Sequence, residues 1–200
     1  MIFDRSGFST SRFSEMLPLA FAFEGKLVLV IGAGQIGVRK AQQLIDQGAV
    51  VTVIAEEILV PLPEGVANVE QRRYQRGDLR GFWLVVSATG HSEVNDDVVR
   101  EANEERIWLN VVDDPDRCSF YFMALHRQGD VTVAVTTEGA APALAQEIRS
   151  LAASRLPNNL AEIAVTLRAE RRAVHDQGAS TENVDWRPRI RELLGVETPH

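Results

Sequence analysis

The stretch Val28–Glu57, "VLVIGAGQIGVRKAQQLIDQGAVVTVIAEE", decides how the rest of the chain is read. An apolar run ends in Gly32, Gly34 and Gly37, a helical segment from Gln35 to Gln47 follows, and a second apolar run closes on Glu56 and Glu57. Strand, glycine-rich turn, helix and strand in that order predict a parallel βαβ unit. In such a unit the first glycine permits a tight turn and the second lets backbone approach a pyrophosphate. The third lets the helix pack closely on the strand, and the helix N-terminal amides face the anion. Glu56 stands 22 residues after Gly34, the distance at which an acid typically meets the adenosine ribose. The spacing predicts a dinucleotide, and an acid at that point should repel a 2′-phosphate, favouring NAD over NADP. The alternative is that the glycines only make a turn and that the two acids are solvated.

Outward from this unit the alternation continues. "VEQRRY" and "FWLVVSAT" read as strands, Ser92 to Glu105 as a helix with Val94, Val98 and Ala102 on one face, and "IWLNVV" as the next strand. These segments predict a Rossmann-like parallel sheet over residues 16–114, preceded by a flexible extension over 1–15. The pattern then changes: "DPDRCSFYFMALHRQGDVTVAVTT" reads as two strands joined at Gln128-Gly129-Asp130, and Pro142 opens a helix whose apolar stripe is Leu144, Ile148 and Leu151. Residues 115–157 are thus expected to form a small α+β module. Residues 158–200 follow as helices, the first opened by a capping box of Asn159 and Glu162 and turning Leu160, Ile163 and Leu167 inward.

At 200 residues, 45% hydrophobic and 24% charged, the composition is that of a globular protein, with no apolar run of membrane-spanning length. A net charge of −7 argues against sequence-independent nucleic-acid binding, which needs a basic surface. The single cysteine, Cys118, excludes an intramolecular disulfide, and the first residues lack a secretory pattern, so the cytoplasm is the expected location. No Cys/His cluster has metal-site spacing, and no permanent metal is expected. Cys118 and His126 could lend ligands to a transient ion, although a lone residue of either kind usually packs or faces solvent.

In an open parallel sheet the carboxyl ends of the strands form the ligand crevice. Asp113, Asn110 and Thr89 stand at such strand ends. A carboxylate at Asp113 can accept a proton there, unless Asp113-Asp114-Pro115 is merely a turn. Arg39 and Lys40, one turn into the first helix, are either surface charges or contacts to an anion. Thr136 and Thr137 either cap the helix at Pro142 or offer hydroxyls to a ligand.

Four blocks, "LPLAFAFEGKLVLVIGAGQIGVRKAQQLIDQGA", "VVSAT" with Asn95, "NVVDDPDRCSF" and "GDVTVAVTTEGAAPALAQEIR", together resemble the precorrin-2 dehydrogenase/sirohydrochlorin ferrochelatase family, which includes the N-terminal module of siroheme synthase. The likeness runs from about Leu17 to Pro157 and fades in the C-terminal helices. Two positions depart from the family pattern: an acid where a proline often follows "VTVxA", and Met123 where "SFxxPA" usually has proline.

The resemblance implies NAD-dependent oxidation of precorrin-2 to sirohydrochlorin and, in many members, insertion of ferrous iron as a second substrate. It implies Asp113 as the essential aspartate, and nucleotide contacts on the loop Gly32, Gly34, Gln35 and Ile36, with Gly37, and on Glu56 and Glu57. Thr89 and Asn110 are further candidates for cofactor contact. The polycarboxylate tetrapyrrole needs a focused basic region, for which Arg39, Lys40, Arg117 and Arg149 are candidates, with Thr136 and Thr137 as donors. It also implies a homodimer built on the hairpin and the following helices. A dehydrogenase without chelatase activity, and a non-catalytic NAD-sensing module, are the alternatives.

Overall fold

The computed structural model describes residues 16–196, so the extension expected over 1–15 lies outside the described residues. Five strands, β1 (Leu27–Ala33), β2 (Val50–Ile58), β3 (Asn68–Glu70), β4 (Leu84–Ser87) and β5 (Trp108–Val111), form one parallel sheet in the order β3-β2-β1-β4-β5. This is the Rossmann-like sheet that the alternation predicts. Val28–Ile31 of β1, Val51, Val53 and Ile54 of β2, and Leu84–Val86 of β4 are at most 2% exposed, as expected of parallel strands covered on both faces.

Helix α1 (Gln35–Ile45) buries Gly37, Ala41 and Leu44, spaced for one helical face. Helix α2 (Ser92–Glu105) buries Val98, Glu101 and Ala102 and ends at Arg106 in the left-handed region, φ 57°. Strand order reverses between β1 and β4, so the crevice of the fold opens where these two strands end. At the opposite, amino-terminal rim, Phe21 and Phe23 pack edge-on against Trp83, at 5.5 and 5.7 Å between ring centroids, and Phe21 also meets Trp108.

Three expectations are corrected here. "VEQRRY" is strand only as far as Glu70, because Arg72 reaches back to Glu70 and forward to Asp78, both at 2.6 Å, and folds residues 71–78 into a loop. The boundary expected after Asp114 falls instead between Tyr121 and Phe122. Residues 115–121 return to β5: Ser119 N–H donates to the Leu109 carbonyl at 2.7 Å, and the buried Cys118 thiol lies 3.2 Å from both the Val111 nitrogen and the Val111 carbonyl oxygen. Asn159 does not form a capping box, since its side chain bonds no backbone N–H of the helix it precedes.

The second unit begins at Phe122 and combines the expected α+β module with the C-terminal helices. Strands β6 (Ala124–Gln128) and β7 (Val131–Val135) pair antiparallel, with Gln128 opposite Val131 across Gly129-Asp130; Gly129 takes φ 56° in that turn. Helices α3 (Pro142–Arg155), α4 (Leu160–Asp176) and α5 (Arg187–Leu194) follow. Leu160 and Ile163 of α4 are buried and Leu167 is half-buried, and Arg168 bonds Asp130 at 2.5 Å. Leu144, Ile148 and Leu151 of α3, expected as an apolar stripe, are 52, 41 and 56% exposed.

Candidate functional site

A cleft of about 690 Å³ lies in the first unit at the ends of β1, β2 and β4, lined by Gly32 and Gly34, by Glu56 and Glu57, by Arg72 to Tyr74, and by Ala88 to Val94. The three glycines have distinct causes. Gly32 has φ 104°, and a Cβ there would stand 2.4 Å from the Ala88 carbonyl oxygen; on Gly37 it would stand 2.1 Å from the Gly32 carbonyl oxygen. Both are required by the packing of the turn against β4 and α1. Gly34 is different: its φ of −81° suits any residue, and a Cβ would meet nothing within 4 Å among the described residues. The protein's own packing does not demand a glycine there, which leaves the open space in front of it as the reason. Gly34 is also the N-cap of α1, without a side-chain cap and without an acid in the first turn, so the first amides of the helix are left for an anion.

Gln35 and Ile36 are exposed on the first turn of α1, beside the lining of the cleft but not in it. Thr89 is on the wall, where its hydroxyl accepts from His91 N–H at 3.1 Å. Glu56 is not a lone acid. Its carboxylate accepts from Arg73 Nε at 2.8 Å and Nη2 at 2.9 Å, and this fork holds the Glu56 carboxyl below the usual carboxylate range. The sequence reading missed Arg72, Arg73, Tyr74 and His91 on this wall. The adjacent arginines in "QRRY" were the available signal, hidden by assigning that segment to a strand.

Asn110 does not face the cleft. It is buried, and its amide donates to the Phe120 carbonyl at 3.0 Å, which ties residues 118–120 to β5. Arg117 pairs with Asp96 at 2.5 Å and Asp114 at 2.9 Å. Asp113 is exposed at the carboxyl end of β5 with φ 60°, a left-handed conformation that Asp enters more readily than most residues. Val112 N–H donates to the Ser87 carbonyl at 2.9 Å, fastening this turn to the end of β4. No ion pair among the described residues takes up the Asp113 carboxylate.

On α1, Arg39 is exposed and Lys40 is half-buried, and burial, with Arg39 beside it, lowers the Lys40 pKa to about 8. In the second unit, the Thr137 hydroxyl accepts from Ala141 N–H at 3.1 Å and that of Thr136 from Glu138 N–H at 3.0 Å, so both hydroxyls order the turn that leads into α3. Arg149 lies half-buried on α3, its Nη2 donating to Gln146 at 3.2 Å and its Nε without a partner among the described residues. Among the described residues no group of three or more His, Cys, Asp or Glu could hold a metal ion, and no helix is long and apolar enough to cross a membrane.

Residues 19–124 match the family described as "Putative NAD(P)-binding". The chain is 37% identical over 170 residues to siroheme synthase 3 of Aeromonas hydrophila, covering 83% of this chain and 36% of that protein. It is also 37% identical over 154 residues to a siroheme synthase of Pseudomonas paraeruginosa, covering 75% of this chain and 33% of the relative. The chain thus spans about a third of the length of these curated relatives. Among solved structures, SirC, a precorrin-2 dehydrogenase, shares the fold with a TM-score of 0.66 at 23% identity, over 90% of this chain and 88% of that one. With its glycine loop, its switch-point cleft and more than half its length matched, the chain belongs to this NAD(P)-binding family.

Proposed function

We propose that the chain oxidises precorrin-2 to sirohydrochlorin with NAD and then admits ferrous iron to the macrocycle as a second substrate, giving siroheme. The observation that carries this reading is Asp113, exposed and left-handed on the same strand-end rim as the glycine loop. It sits two strands along in the order β1-β4-β5, which at about 4.8 Å per strand is roughly 10 Å. The names of the siroheme synthases and of the precorrin-2 dehydrogenase supply the substrate class.

The residues fit a dinucleotide, because the empty space over Gly34 and the uncapped start of α1 suit a pyrophosphate. Gly32 to Gly34 and the first turn of α1, with Gln35 and Ile36, would hold it, and Glu56 and Glu57 would meet the adenosine ribose. When bound, NAD supplies the acceptor for the hydride that leaves the reduced macrocycle. Asp113 takes the proton released from the ring system, and the cleft walls hold the reacting groups in register. Entry of iron requires removal of pyrrole N–H protons, a task for the same carboxylate. Arg39 and Lys40 are the first unit's candidates for substrate carboxylates; Thr136, Thr137 and Arg149 are those of the second.

The assembly we propose is a homodimer, supported by the exposed row Leu144, Ile148 and Leu151 on α3. The setting we propose is the reducing cytoplasm, in keeping with a single cysteine that is buried and free.

Anaerobic incubation of the purified protein with precorrin-2 and NAD, followed by ferrous iron, tests both reactions by absorbance. Asp113→Ala should lower oxidation by about 100-fold or more, the scale of general acid–base catalysis, and leave NAD affinity within about threefold. Oxidation at the normal rate in that variant removes Asp113 from the mechanism. Sirohydrochlorin formed without subsequent siroheme leaves a dehydrogenase alone, and no turnover with NAD bound leaves a sensing module.

A further inference from the structure

The acid at the ribose end of the cleft has a partner that a lone-acid reading of nucleotide choice does not include. Arg73 forks onto both oxygens of Glu56, with the two side chains 79 and 54% exposed, and both residues line the cleft. Pairs this open to water exchange partners at little cost. The backbone that carries Arg73 is held on either side. Arg72 is bound by Glu70 and by both oxygens of Asp78, and the Tyr74 hydroxyl donates to the buried Glu101 at 2.5 Å. Arg72 also reaches the cleft, but its guanidinium is already spent on two carboxylates, so Arg73 is the arginine of this wall whose fork can change hands.

We propose that Glu56 and Arg73 act as one exchangeable pair that sets nucleotide selectivity. Closed, the pair presents the carboxylate to the two ribose hydroxyls of NAD. Parted, Arg73 turns its planar fork to the 2′-phosphate of NADP, a group it matches in shape and charge. The chain therefore accepts both dinucleotides, with less discrimination than an unpartnered acid at Glu56 would impose. The inference rests on the nucleotide reading of the cleft.

Titration calorimetry of the full chain with NAD and with NADP, at one ionic strength, tests it. Wild-type affinities should lie within about tenfold of each other, since a charge-assisted fork is worth about that factor or more. Arg73→Ala should weaken NADP by about tenfold or more and change NAD by less than about threefold, whereas Glu56→Gln, which releases the fork, should turn the preference toward NADP. Arg73→Lys, which keeps the charge without the fork, should fall between wild type and Arg73→Ala for NADP. An NADP-to-NAD ratio unchanged in Arg73→Ala, or an equal loss for both nucleotides, overturns the proposal while leaving the cleft a nucleotide site. Failure of the wild-type chain to bind either nucleotide overturns the site and the proposal together.

Discussion

Alanine at Gly34 and alanine at Gly37 should separate binding from folding within one loop. At Gly37 the added methyl would stand 2.1 Å from the Gly32 carbonyl oxygen and 3.4 Å from the Ala88 side chain. Backbone must therefore move by about an ångström to restore ordinary contact, and overpacking of this kind costs about 1–3 kcal/mol. For a chain of this size that is roughly 2–12 °C in melting temperature. At Gly34 the methyl meets nothing within 4 Å, and φ −81° with ψ 177° is extended backbone open to any residue. The reduced freedom of the unfolded chain and the weaker N-cap nearly cancel there, at about 0.5–1 kcal/mol each. Gly34→Ala should thus melt within a few degrees of wild type, yet bind NAD about tenfold or more weakly, because the methyl occupies the space facing the pyrophosphate. Thermal melting by circular dichroism, with and without NAD, and titration calorimetry read the two effects separately. Gly34→Ala that binds NAD like wild type, or that melts as low as Gly37→Ala, would refute the assignment of the open space to the nucleotide.

The buried carboxylate of Glu101, 2% exposed, accepts from the Tyr74 hydroxyl at 2.5 Å, Gly77 N–H at 2.9 Å and Leu79 N–H at 3.0 Å. Glu101→Ala should strand these donors and cost about 3 kcal/mol in urea unfolding, against about 0.5 kcal/mol for exposed Glu104, whose partner is Arg76. Lys40, with its folded pKa lowered to about 8 from 10.5, has the opposite sign from a stabilised cation. Between pH 8 and 10.5 the unfolded chain holds this proton and the folded chain does not, so this group's contribution to stability rises with pH across that window. Urea midpoints at pH 7 and 10 should show wild type gaining on Lys40→Gln by about 1–2 kcal/mol after solvent screening; equal midpoint changes in the two proteins would count against burial as the cause.

Local periodicity and glycine spacing made the parallel sheet, the whole of α2 and the start of α1 legible, since each rests on residues near in sequence. The cleft was legible only in part. Glu56 could be placed on the cleft wall from its distance to Gly34, but not its pairing with Arg73, which comes from 17 residues on in a loop without periodicity. Asn110 and Asp113 looked alike as polar residues near one strand end. The pleat and the turn separate them, sending the first to the Phe120 carbonyl and the second to solvent. The reach of the first unit to Tyr121 depends on a thiol and a serine folding back on β5, long-range contacts that local patterning does not encode.

Trp83 and Trp108 stand at or just before the amino-terminal ends of β4 and β5, a strand's length from the cleft and outside its lining, both packed against Phe21, with Phe23 edge-on to Trp83 and the Lys26 ammonium 5.7 Å from the Trp83 ring. Their ultraviolet emission should therefore register whether the segment carrying the two phenylalanines stays seated, and should shift little when dinucleotide enters the far end of the sheet. In a Trp186→Phe background, a spectroscopist titrating this protein with reduced dinucleotide gains two optical channels: tryptophan light for the foot of the sheet, and nicotinamide light for its head.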